Sequence, residues 1–539
     1  MSIKSTMMDY QLTLPPLIDR LGNFFSEVEV VSRLPDKSLH RTNYLAIQQR
    51  SKKLASALTQ CGVEKGDVVA TLMWNHYAHL EAYLGIPSMG AVIHTLNLRL
   101  SPDDIAYIAN HAGDKVLIVD DILLPLYEQF KDKTHFKKVI VVPLTGQDVD
   151  EQFISYEDFL DTGSSHFQYP SINENDAAGM CYTSGTTGRP KGVVYSHRST
   201  VLHCMASAMT DSVAISQFDI VTPVVPMFHA NAWGLPYTCV LVGAKQVLPG
   251  PHLDAESLMD LYEKEQVTLS AGVPTIWMAI KEAREAEPLR WNTAANLRMV
   301  VGGAAVPESL FRAFDAFGMK IIQAWGLTET SPIATVGNLK PSLLDESEDK
   351  QYQYRIKQGL PLPFVDIRIT DEMGEEQPWD GHSQGDTEVR GPWVTAAYHN
   401  NEDADKFTED GWLKTGDVSH IDAQGYVKLT DRTKDLVKSG GEWISSIDLE
   451  NAIMGHPDVL EAAVIAVYHP KWDERPLAVI VVKPGKVVTK EDIHQWLDGQ
   501  FSKIWLPDAV ETIDEIPKTS TGKFMKIKLR DMYSDWVWT

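Results

Sequence analysis

The most informative stretch of the chain reads Tyr182-Thr183-Ser184-Gly185-Thr186-Thr187-Gly188-Arg189-Pro190-Lys191-Gly192. An apolar run at 177–181 precedes it and Val193-Val194-Tyr195 follows it, so the pattern predicts a loop between two short strands. Glycines let backbone N–H groups approach an anion, hydroxyls add donors, and Lys191 adds positive charge. The loop therefore predicts a phosphate-binding site, and a flexible Gly/Ser/Thr turn would use the same residue types.

This loop differs from the common P-loop. There the last glycine is followed directly by lysine and then by serine or threonine, as a helix begins. Here Arg189 and Pro190 separate Gly188 from Lys191, and Gly192 follows the lysine. The order of residues therefore disfavours a nucleotide hydrolase whose phosphate loop opens a helix.

Composition and charge narrow the class of protein. The 539 residues predict more than one domain, and a net charge of -24 disfavours a nucleic-acid-binding surface. Anionic ligands must then be held by local cationic sites, with magnesium assisting. The four cysteines form no Cys-x-x-Cys pair, which predicts reduced thiols in a cytoplasmic protein, with neither zinc nor disulfides. We expect no targeting signal, and no apolar run reaches the ~18 residues of a membrane span.

Helical and strand patterns alternate in the first third of the chain. One helical face carries Tyr44, Ile47, Leu54 and Leu58. Short buried strands are predicted at 68–73, 115–120 and 138–142, with helices such as 102–111 between them. This alternation predicts parallel sheets covered on both faces, and we interpret residues 1 to about 170 as scaffold.

A second strong signal follows the predicted strand 321–324. It reads Trp325-Gly326-Leu327-Thr328-Glu329-Thr330. An aromatic face stacks on adenine, and a single carboxylate is the usual way to hold magnesium beside substrate phosphates, because this ion keeps several waters. We therefore predict Glu329 as a magnesium ligand, and a surface-turn glutamate is the alternative.

Four motifs carry a family resemblance, together with two weaker ones in the same order along the chain. They are 183–192, Trp325-Gly326-Leu327-Thr328-Glu329-Thr330, Gly411-Trp412-Leu413-Lys414-Thr415-Gly416-Asp417 and Pro517-Lys518-Thr519-Ser520-Thr521-Gly522-Lys523. The chain resembles, over essentially its whole length, the adenylate-forming enzymes: acyl-CoA synthetases, peptide-synthetase adenylation domains and firefly luciferase. Within this family, its sequence most resembles those of bacterial medium-chain acyl-CoA synthetases and 3-methylmercaptopropionate-CoA ligases.

The resemblance implies an α/β fold in two parts. Residues 1–432 would form a large AMP-binding N-terminal domain of layered α/β subdomains plus a β-subdomain. Residues 433–539 would form a small, mobile α+β C-terminal domain that acts as a lid, with Lys434 as its hinge.

The resemblance also assigns the nucleotide site. Lys523 would bridge the attacking carboxylate and the α-phosphate, Asp417 would accept hydrogen bonds from the ribose hydroxyls, and Arg432 would add a second ribose contact. Trp325 replaces the family's usual tyrosine, keeping a stacking face but losing the phenol hydroxyl. The full set implied for ATP and AMP is Thr183, Ser184, Gly185, Thr186, Thr187, Gly188, Lys191, Gly303, Ala304, Ala305, Trp325, Gly326, Thr328, Asp417 and Arg432.

The acyl and thiol sites are implied in the same way. The acyl pocket would be formed by His229, Trp233, Gly302 and Pro332, with His229 as substrate gate and catalytic residue. A hydrogen-bonded loop histidine and simple core packing of Trp233 remain alternatives. Gly440, Gly441 and Glu442 would line the channel for the pantetheine arm of coenzyme A.

The chemistry implied is ATP-dependent ligation of a small carboxylic acid to coenzyme A through an acyl-adenylate, assisted by Mg²⁺. The acid would be short or medium in chain length, with 3-methylmercaptopropionate as our prediction. Homodimers are common in the family. Alternatives are medium-chain fatty-acid ligation, loading of a carrier protein, luciferase-like oxygenation and non-catalytic acyl binding. Since sixteen residues follow Lys523, we expect no fused carrier domain, and Glu329, Asp417 and Lys523 together disfavour a mere binder.

Overall fold

A computed structural model describes residues 3–183, 189–440, 442–519 and 523–538, with the side chain of Glu442 excepted. Its strands form two large mixed sheets, one small antiparallel sheet and one five-stranded sheet. The predicted α/β class is confirmed. Among the described residues, no helix combines the length and the apolar character that crossing a bilayer requires.

The first large sheet has seven strands. In spatial order they are Ile154–Ser155, Lys138–Val142, Asp114–Asp120, Val68–Leu72, Val92–Thr95, Ala177–Tyr182 and Gly192–Ser196. All neighbours run parallel except the last pair, which is antiparallel. The strands predicted in the first third of the chain are confirmed, with ends that differ by one residue. The predicted phosphate loop joins the antiparallel pair at the edge of this sheet.

The second large sheet has nine strands. In spatial order they are Leu360–Pro361, Ile333–Val336, Met319–Gly326, Leu297–Val301, Leu269–Gly272, Ile220–Pro223, Lys245–Leu248, Glu29–Arg33 and Leu39–Asn43. Its six inner strands are parallel. Ligands of such sheets bind beyond the carboxyl ends of the strands, so the segments after Pro223, Gly272, Val301 and Gly326 converge on one edge.

Helices cover both large sheets. They are Pro15–Phe24, Tyr44–Gln60, Tyr77–Ser88, Pro102–Ala112, Leu124–Tyr127, Tyr156–Asp161, His197–Ala208, Leu235–Val242, Ala255–Glu265, Pro274–Ala286, Glu308–Ala316 and Glu348–Arg355. The helix Tyr44–Gln60 begins where the Asn43 side chain accepts a hydrogen bond from the Ala46 N–H, and it buries all four predicted apolar positions. Its Leu54 shares one core with Val69 and Val221, one from each large sheet.

The small sheet follows the large ones. Its antiparallel strands are Asp366–Thr370, Gly385–Arg390, Leu413–Ile421 and Val427–Arg432, in sequence order. It lies where the sequence predicted a β-subdomain. The strand after Arg432, Val437–Ser439, already belongs to another sheet, and the boundary between residues 432 and 433 stays a prediction.

The C-terminal part is α+β. Its strands, in spatial order, are Glu442–Ile444, Val437–Ser439, Asp473–Val482 and Val459–His469, with Ala509–Thr512 also beside Asp473–Val482. Its helices are Ser446–Met454, Lys490–Leu497 and Lys526–Met532. The amphipathic pattern of the sequence predicts a helix over 490–501. The helix Lys490–Leu497 ends earlier because Asp498 is extended and Gly499 takes a positive φ of 75°.

A buried ionic cluster attaches this part to the small sheet. It consists of Asp431, Ser446, Glu450 and Lys526, and we call it the hinge cluster. The Asp431 carboxylate accepts a hydrogen bond of 2.7 Å from the Ser446 N–H, and Lys526 pairs with Glu450 at 2.7 Å. Because Asp431 precedes the predicted hinge and the other three follow it, the cluster holds the two parts in their present orientation.

Candidate active site

A cavity of about 760 Å³ lies beyond the carboxyl ends of the parallel strands, between the large sheets, the small sheet and the C-terminal part. Fourteen of the sequence-predicted site residues line it: Thr183, Lys191, His229, Trp233, Gly302, Gly303, Trp325, Gly326, Thr328, Glu329, Pro332, Arg432, Lys434 and Lys523. Ala304, Ala305 and Asp417 line an adjoining recess. Ser184, Gly185, Thr186, Thr187 and Gly188, as well as Gly441, lie outside the described residues.

The apolar end of the cavity depends on an unusual turn. Residues 230–233 all take positive φ values, between 42° and 58°. Such left-handed backbone is costly for residues with a Cβ and persists only where neighbours hold it. Here the buried Asn231 side chain accepts hydrogen bonds from the Cys181 thiol and the Tyr83 hydroxyl, each at 3.4 Å.

The turn places Trp233 against the strand end Val301–Gly302. A Cβ on Gly302 would lie 3.1 Å from the far edge of the Trp233 ring, and this ring is only 7% exposed. A larger residue at position 302 would therefore have to shift the indole, and the equally close Ala324 carbonyl, by a few tenths of an ångström. Val273 and Ile333 add further apolar side chains to the lining of the cavity.

The cationic end of the cavity is lined by the described residues on either side of 184–188, among them Thr183, Arg189 and Lys191. Thr183 and Lys191 close its base through two hydrogen bonds, of which the Thr183 N–H to Lys191 carbonyl bond measures 2.9 Å. Lys191 also forms an ion pair with Asp403. Arg189 lies over the Tyr107 ring at 4.8 Å and lines the cavity. Two cations therefore face the space where phosphates are expected.

Glu329 lies next to these cations on a short 3-10 turn, Thr328–Thr330. Its Oε1 accepts a hydrogen bond of 2.6 Å from the Tyr398 hydroxyl. Burial and the Glu329 carboxylate raise the pKa of Tyr398, so the phenol stays a donor. The described residues contain no cluster of three or more His, Cys, Asp or Glu side chains arranged as metal ligands. One oriented carboxylate fits magnesium that takes its other ligands from phosphates and water.

The recess beside the main cavity has the features of a nucleoside site. Gly303 has a φ of +91°, and residues 303–305 line one side of the recess. Trp325 forms another wall. The Trp325 indole N–H donates a hydrogen bond of 2.9 Å to Asp417 Oδ2, and Asp417 Oδ1 lies 3.6 Å from Arg432 Nε. Gln323 also lines the recess, and its buried Oε1 has no hydrogen-bond partner among the described residues.

Lys523 reaches the cavity from the C-terminal part. Its Cε lies 3.1 Å from the position that a Cβ would take on Gly303. Burial, with the nearby Arg432 charge, lowers the pKa of Lys523 to about 8, while Asp417 and Glu329 act in the opposite direction. The ammonium is therefore a cation held between the nucleoside recess and the apolar end.

His229 lines the cavity, near enough to Lys523 and Arg99 for their charges to act on it. Burial, and then the charges of Lys523 and Arg99, lower the pKa of His229 to about 3. The imidazole is accordingly neutral at physiological pH and does not add a charge to the apolar end.

Of the residues predicted for the hinge and the thiol channel, fewer line the cavity. Lys434 lines the cavity, and burial lowers its pKa. Gly440 does not line the cavity. Its N–H donates to the Trp472 carbonyl at 2.8 Å, and the Trp472 ring leaves no room for a Cβ on Gly440. The roles assigned to Lys434, Gly440, Gly441 and Glu442 stay predictions.

Four site residues were missed by sequence reasoning, and one of them, Arg189, lies within the quoted loop motif. Tyr398, Asp403 and Gln323 contact or adjoin predicted residues only through the fold. Tyr398 and Asp403 come from irregular segments with no chemical pattern. Gln323 precedes Trp325 by two residues on one strand, and side chains two apart share a face, so strand periodicity was a usable signal for it.

Comparison with known families gives two matches. Residues 26–399 match the family described as AMP-binding enzyme, and residues 448–523 match the AMP-binding enzyme C-terminal domain.

Individual relatives match over nearly the full chain. A long-chain-fatty-acid–CoA ligase of Thermus thermophilus is 49% identical over 534 residues, which cover 99% of this chain and 97% of that protein. A 3-methylmercaptopropionyl-CoA ligase of Ruegeria lacuscaerulensis is 42% identical over 539 residues, with 98% of each chain covered. The crystal structure of ATP-bound MatB from Rhodopseudomonas palustris matches with a TM-score of 0.81 at 25% identity, covering 98% of this chain and 99% of that one.

Proposed function

The chain belongs to the AMP-binding enzyme family, and from that premise we propose that it joins a short or medium apolar carboxylic acid to coenzyme A at the expense of ATP, with 3-methylmercaptopropionate as the preferred acid. The prediction of an acyl-CoA synthetase is confirmed at the level of the family and its relatives. The observation that carries the proposal is the cavity itself, in which a cationic end, a nucleoside recess and an apolar wall meet at Lys523.

The first half-reaction follows from this arrangement. The acid's carboxylate attacks the α-phosphate of ATP, forming acyl-AMP and releasing pyrophosphate. The step needs positioning and charge neutralisation rather than a protein nucleophile. Lys191 and the loop at 183–191 would hold the β- and γ-phosphates, Trp325 and Asp417 the nucleoside, and Lys523 the attacking carboxylate together with the α-phosphate. Gln323 would accept a hydrogen bond from the adenine amino group.

Glu329, held by Tyr398, would bind Mg²⁺, which when bound neutralises phosphate charge.

The second half-reaction needs the same site without Lys523. The thiol of coenzyme A attacks the acyl carbon of acyl-AMP, the thioester forms, and AMP leaves. Lys523 and the neutral His229 line the same cavity, and we infer that withdrawal of Lys523 by a turn of the lid about Lys434 opens the side from which the thiol approaches. Gly440, Gly441 and Glu442 would then line the pantetheine channel.

The apolar wall supports an uncharged acyl chain. Trp233, Val273 and Ile333 contribute apolar surface, and the neutral His229 offers no charge to a second carboxylate. A thioether chain such as that of 3-methylmercaptopropionate suits an aromatic wall because sulfur packs favourably against aromatic rings. The second candidate is a longer fatty acid, which is supported by the 49% identity to a protein named as a long-chain-fatty-acid–CoA ligase.

The test is coenzyme-A-dependent release of AMP by the purified chain with ATP and Mg²⁺. The acids should run from acetate through palmitate and include 3-methylmercaptopropionate. We expect an optimum at 3-methylmercaptopropionate or butyrate. An optimum at eight carbons or more would favour the fatty-acid alternative. Pyrophosphate exchange without any dependence on coenzyme A would instead indicate loading of a carrier protein.

Replacing Trp233 with alanine is expected to shift the chain-length optimum upward by at least two carbons, because the indole closes the apolar end over Gly302. The measurement is kcat/KM across the acid series. Trp291→Ala, at a buried tryptophan of a separate core cluster, is the matched control and should leave the optimum unchanged. An unchanged optimum in Trp233→Ala would remove Trp233 from the acyl pocket.

The first half-reaction should lose activity as the pH rises through about 8. Burial lowers the pKa of Lys523 to about 8, so its ammonium is present below that pH and is lost above it. The kcat/KM for adenylate formation, which reports the free enzyme, is expected to fall tenfold per pH unit on the basic side. Lys523→Arg keeps its charge at all accessible pH values and should remove this limb. A limb that persists in Lys523→Arg would belong to another group.

A further inference from the structure

Trp325 makes a hydrogen bond that the predicted stacking role does not use. Its indole N–H donates to Asp417 Oδ2 at 2.9 Å, and the two residues are only 6% and 5% exposed. Trp325 belongs to the nine-stranded sheet and Asp417 to the four-stranded sheet, 92 residues away in sequence. The bond therefore joins two walls of the nucleoside recess.

The two carboxylate oxygens of Asp417 have different neighbours. Oδ2 accepts from the indole, whereas Oδ1 lies 3.6 Å from Arg432 Nε, which is beyond direct hydrogen-bond range. An indole nitrogen is a donor only, and its ring is held by packing. The indole therefore fixes the rotation of the carboxylate, which would otherwise be free to turn towards the Arg432 guanidinium.

We propose that Trp325 is a positioning residue that aims the Asp417 carboxylate at the two ribose hydroxyls of ATP, and thereby sets the preference for ribonucleotides over deoxyribonucleotides. The inference rests on the proposed function of the recess. A carboxylate has about four acceptor positions, and the indole occupies one of them, so both ribose hydroxyls still find acceptors. Trp325 itself also lines the recess.

The indole N–H, rather than the aromatic ring, carries this inference. Phenylalanine would keep an aromatic face at position 325 and would leave Asp417 Oδ2 without its donor. Loss of stacking weakens every adenine nucleotide alike, whereas loss of carboxylate orientation weakens only nucleotides that present the hydroxyls. The ratio of kcat/KM with ATP to kcat/KM with a deoxynucleotide therefore distinguishes the two roles.

The experiment is kcat/KM for acyl-adenylate formation with ATP, 2′-deoxyATP and 3′-deoxyATP, in the wild-type chain and in Trp325→Phe. We expect the preference for ATP over each deoxynucleotide to fall at least threefold in the variant. Because each ratio is taken on one preparation, it does not depend on the fraction of folded protein.

Trp277→Phe is the matched control. Trp277 is fully buried, and its indole nitrogen has no hydrogen-bond partner among the described residues, so its replacement should leave the ratios unchanged. In an Asp417→Ala background, which removes the acceptor of the indole N–H, adding Trp325→Phe should produce no further change in the ratios. An equal loss for all three nucleotides in Trp325→Phe would overturn the positioning role and leave only ring packing.

Failure of this inference is distinguishable from failure of the proposed function. A wild-type chain that forms no adenylate from ATP with any acid would remove the proposed function. A wild-type chain that prefers ATP over both deoxynucleotides, with the same preference in Trp325→Phe, would remove the inference alone.

Discussion

Replacing Lys523 with alanine is expected to abolish acyl-adenylate formation while sparing thioester formation from supplied acyl-AMP. Lys523 is the cation that reaches the junction of the nucleoside recess and the apolar wall, and its side chain lies against Gly303. Loss of one preorganised electrostatic group in an active site commonly costs about 10²–10³ in rate. The measurements are pyrophosphate release for the first half-reaction and thioester formation from synthetic acyl-AMP for the second.

Lys518→Ala is the control for this prediction. Lys518 precedes Lys523 in the same segment and pairs with Glu461 at 2.6 Å, outside the cavity. It should change neither half-reaction by more than about twofold, since partly exposed ion pairs contribute little. If Lys523→Ala slowed both half-reactions by one factor, the proposed division of labour between them would be wrong.

Replacing Lys526 with methionine is expected to destabilise the C-terminal part by about 3–5 kcal/mol, because it leaves the buried carboxylates of Glu450 and Asp431 without their cation. Burial already raises the pKa of Glu450 to about 7 from its ordinary 4.5. The folded state thus binds the Glu450 proton more tightly than the unfolded state, and stability falls as the pH rises between these values. Lys526 lowers the pKa of Glu450, so in Lys526→Met this pKa rises further and stability keeps falling above pH 7, where the wild-type chain no longer loses stability through Glu450. The loss caused by the substitution should therefore be larger at pH 8 than at pH 6.

Urea unfolding followed by hydrogen exchange of the strand Val459–His469 would measure this loss within the C-terminal part. Lys486→Met is the matched control, because Lys486 pairs with Asp458 on the same part but is 53% exposed. It should cost at most about 1 kcal/mol and show no such pH dependence. A Lys526→Met variant as stable as Lys486→Met would show that the hinge cluster does not hold the C-terminal part.

Much of the architecture could be predicted because local patterns agree with the fold. The apolar face of Tyr44–Gln60 repeats with the helical period. The strand Lys138–Val142 is a short, mostly apolar run, and it begins and ends at the predicted residues. The early end of Lys490–Leu497 was missed since the apolar pattern continues to Phe501 past Gly499. Periodicity reports which residues are apolar, whereas a helix ends where one glycine changes the backbone.

The candidate site could be predicted only where its residues fall in motifs. Glu329 and Lys523 lie in such motifs and line one cavity. The bond between Trp325 and Asp417 spans 92 residues, and no local pattern encodes it. The left-handed turn at 230–233 was missed for a different reason, because no glycine marks those four positions. Tertiary contacts hold that backbone against its intrinsic preference.

The last two residues of the strand Val427–Arg432, Asp431 and Arg432, contact different parts of the protein. Arg432 lies 3.6 Å from Asp417 in the nucleoside recess, and Asp431 accepts from Ser446 in the hinge cluster. Successive side chains of a strand leave on opposite faces, so one insertion between Val427 and Asp431 would exchange them. The contact of Arg432 with Asp417 and the contact of Asp431 with Ser446 would be lost together. Length variation should therefore be confined to the preceding turn at 422–426, and an insertion scan across 422–432 would reveal a sharp boundary of tolerance.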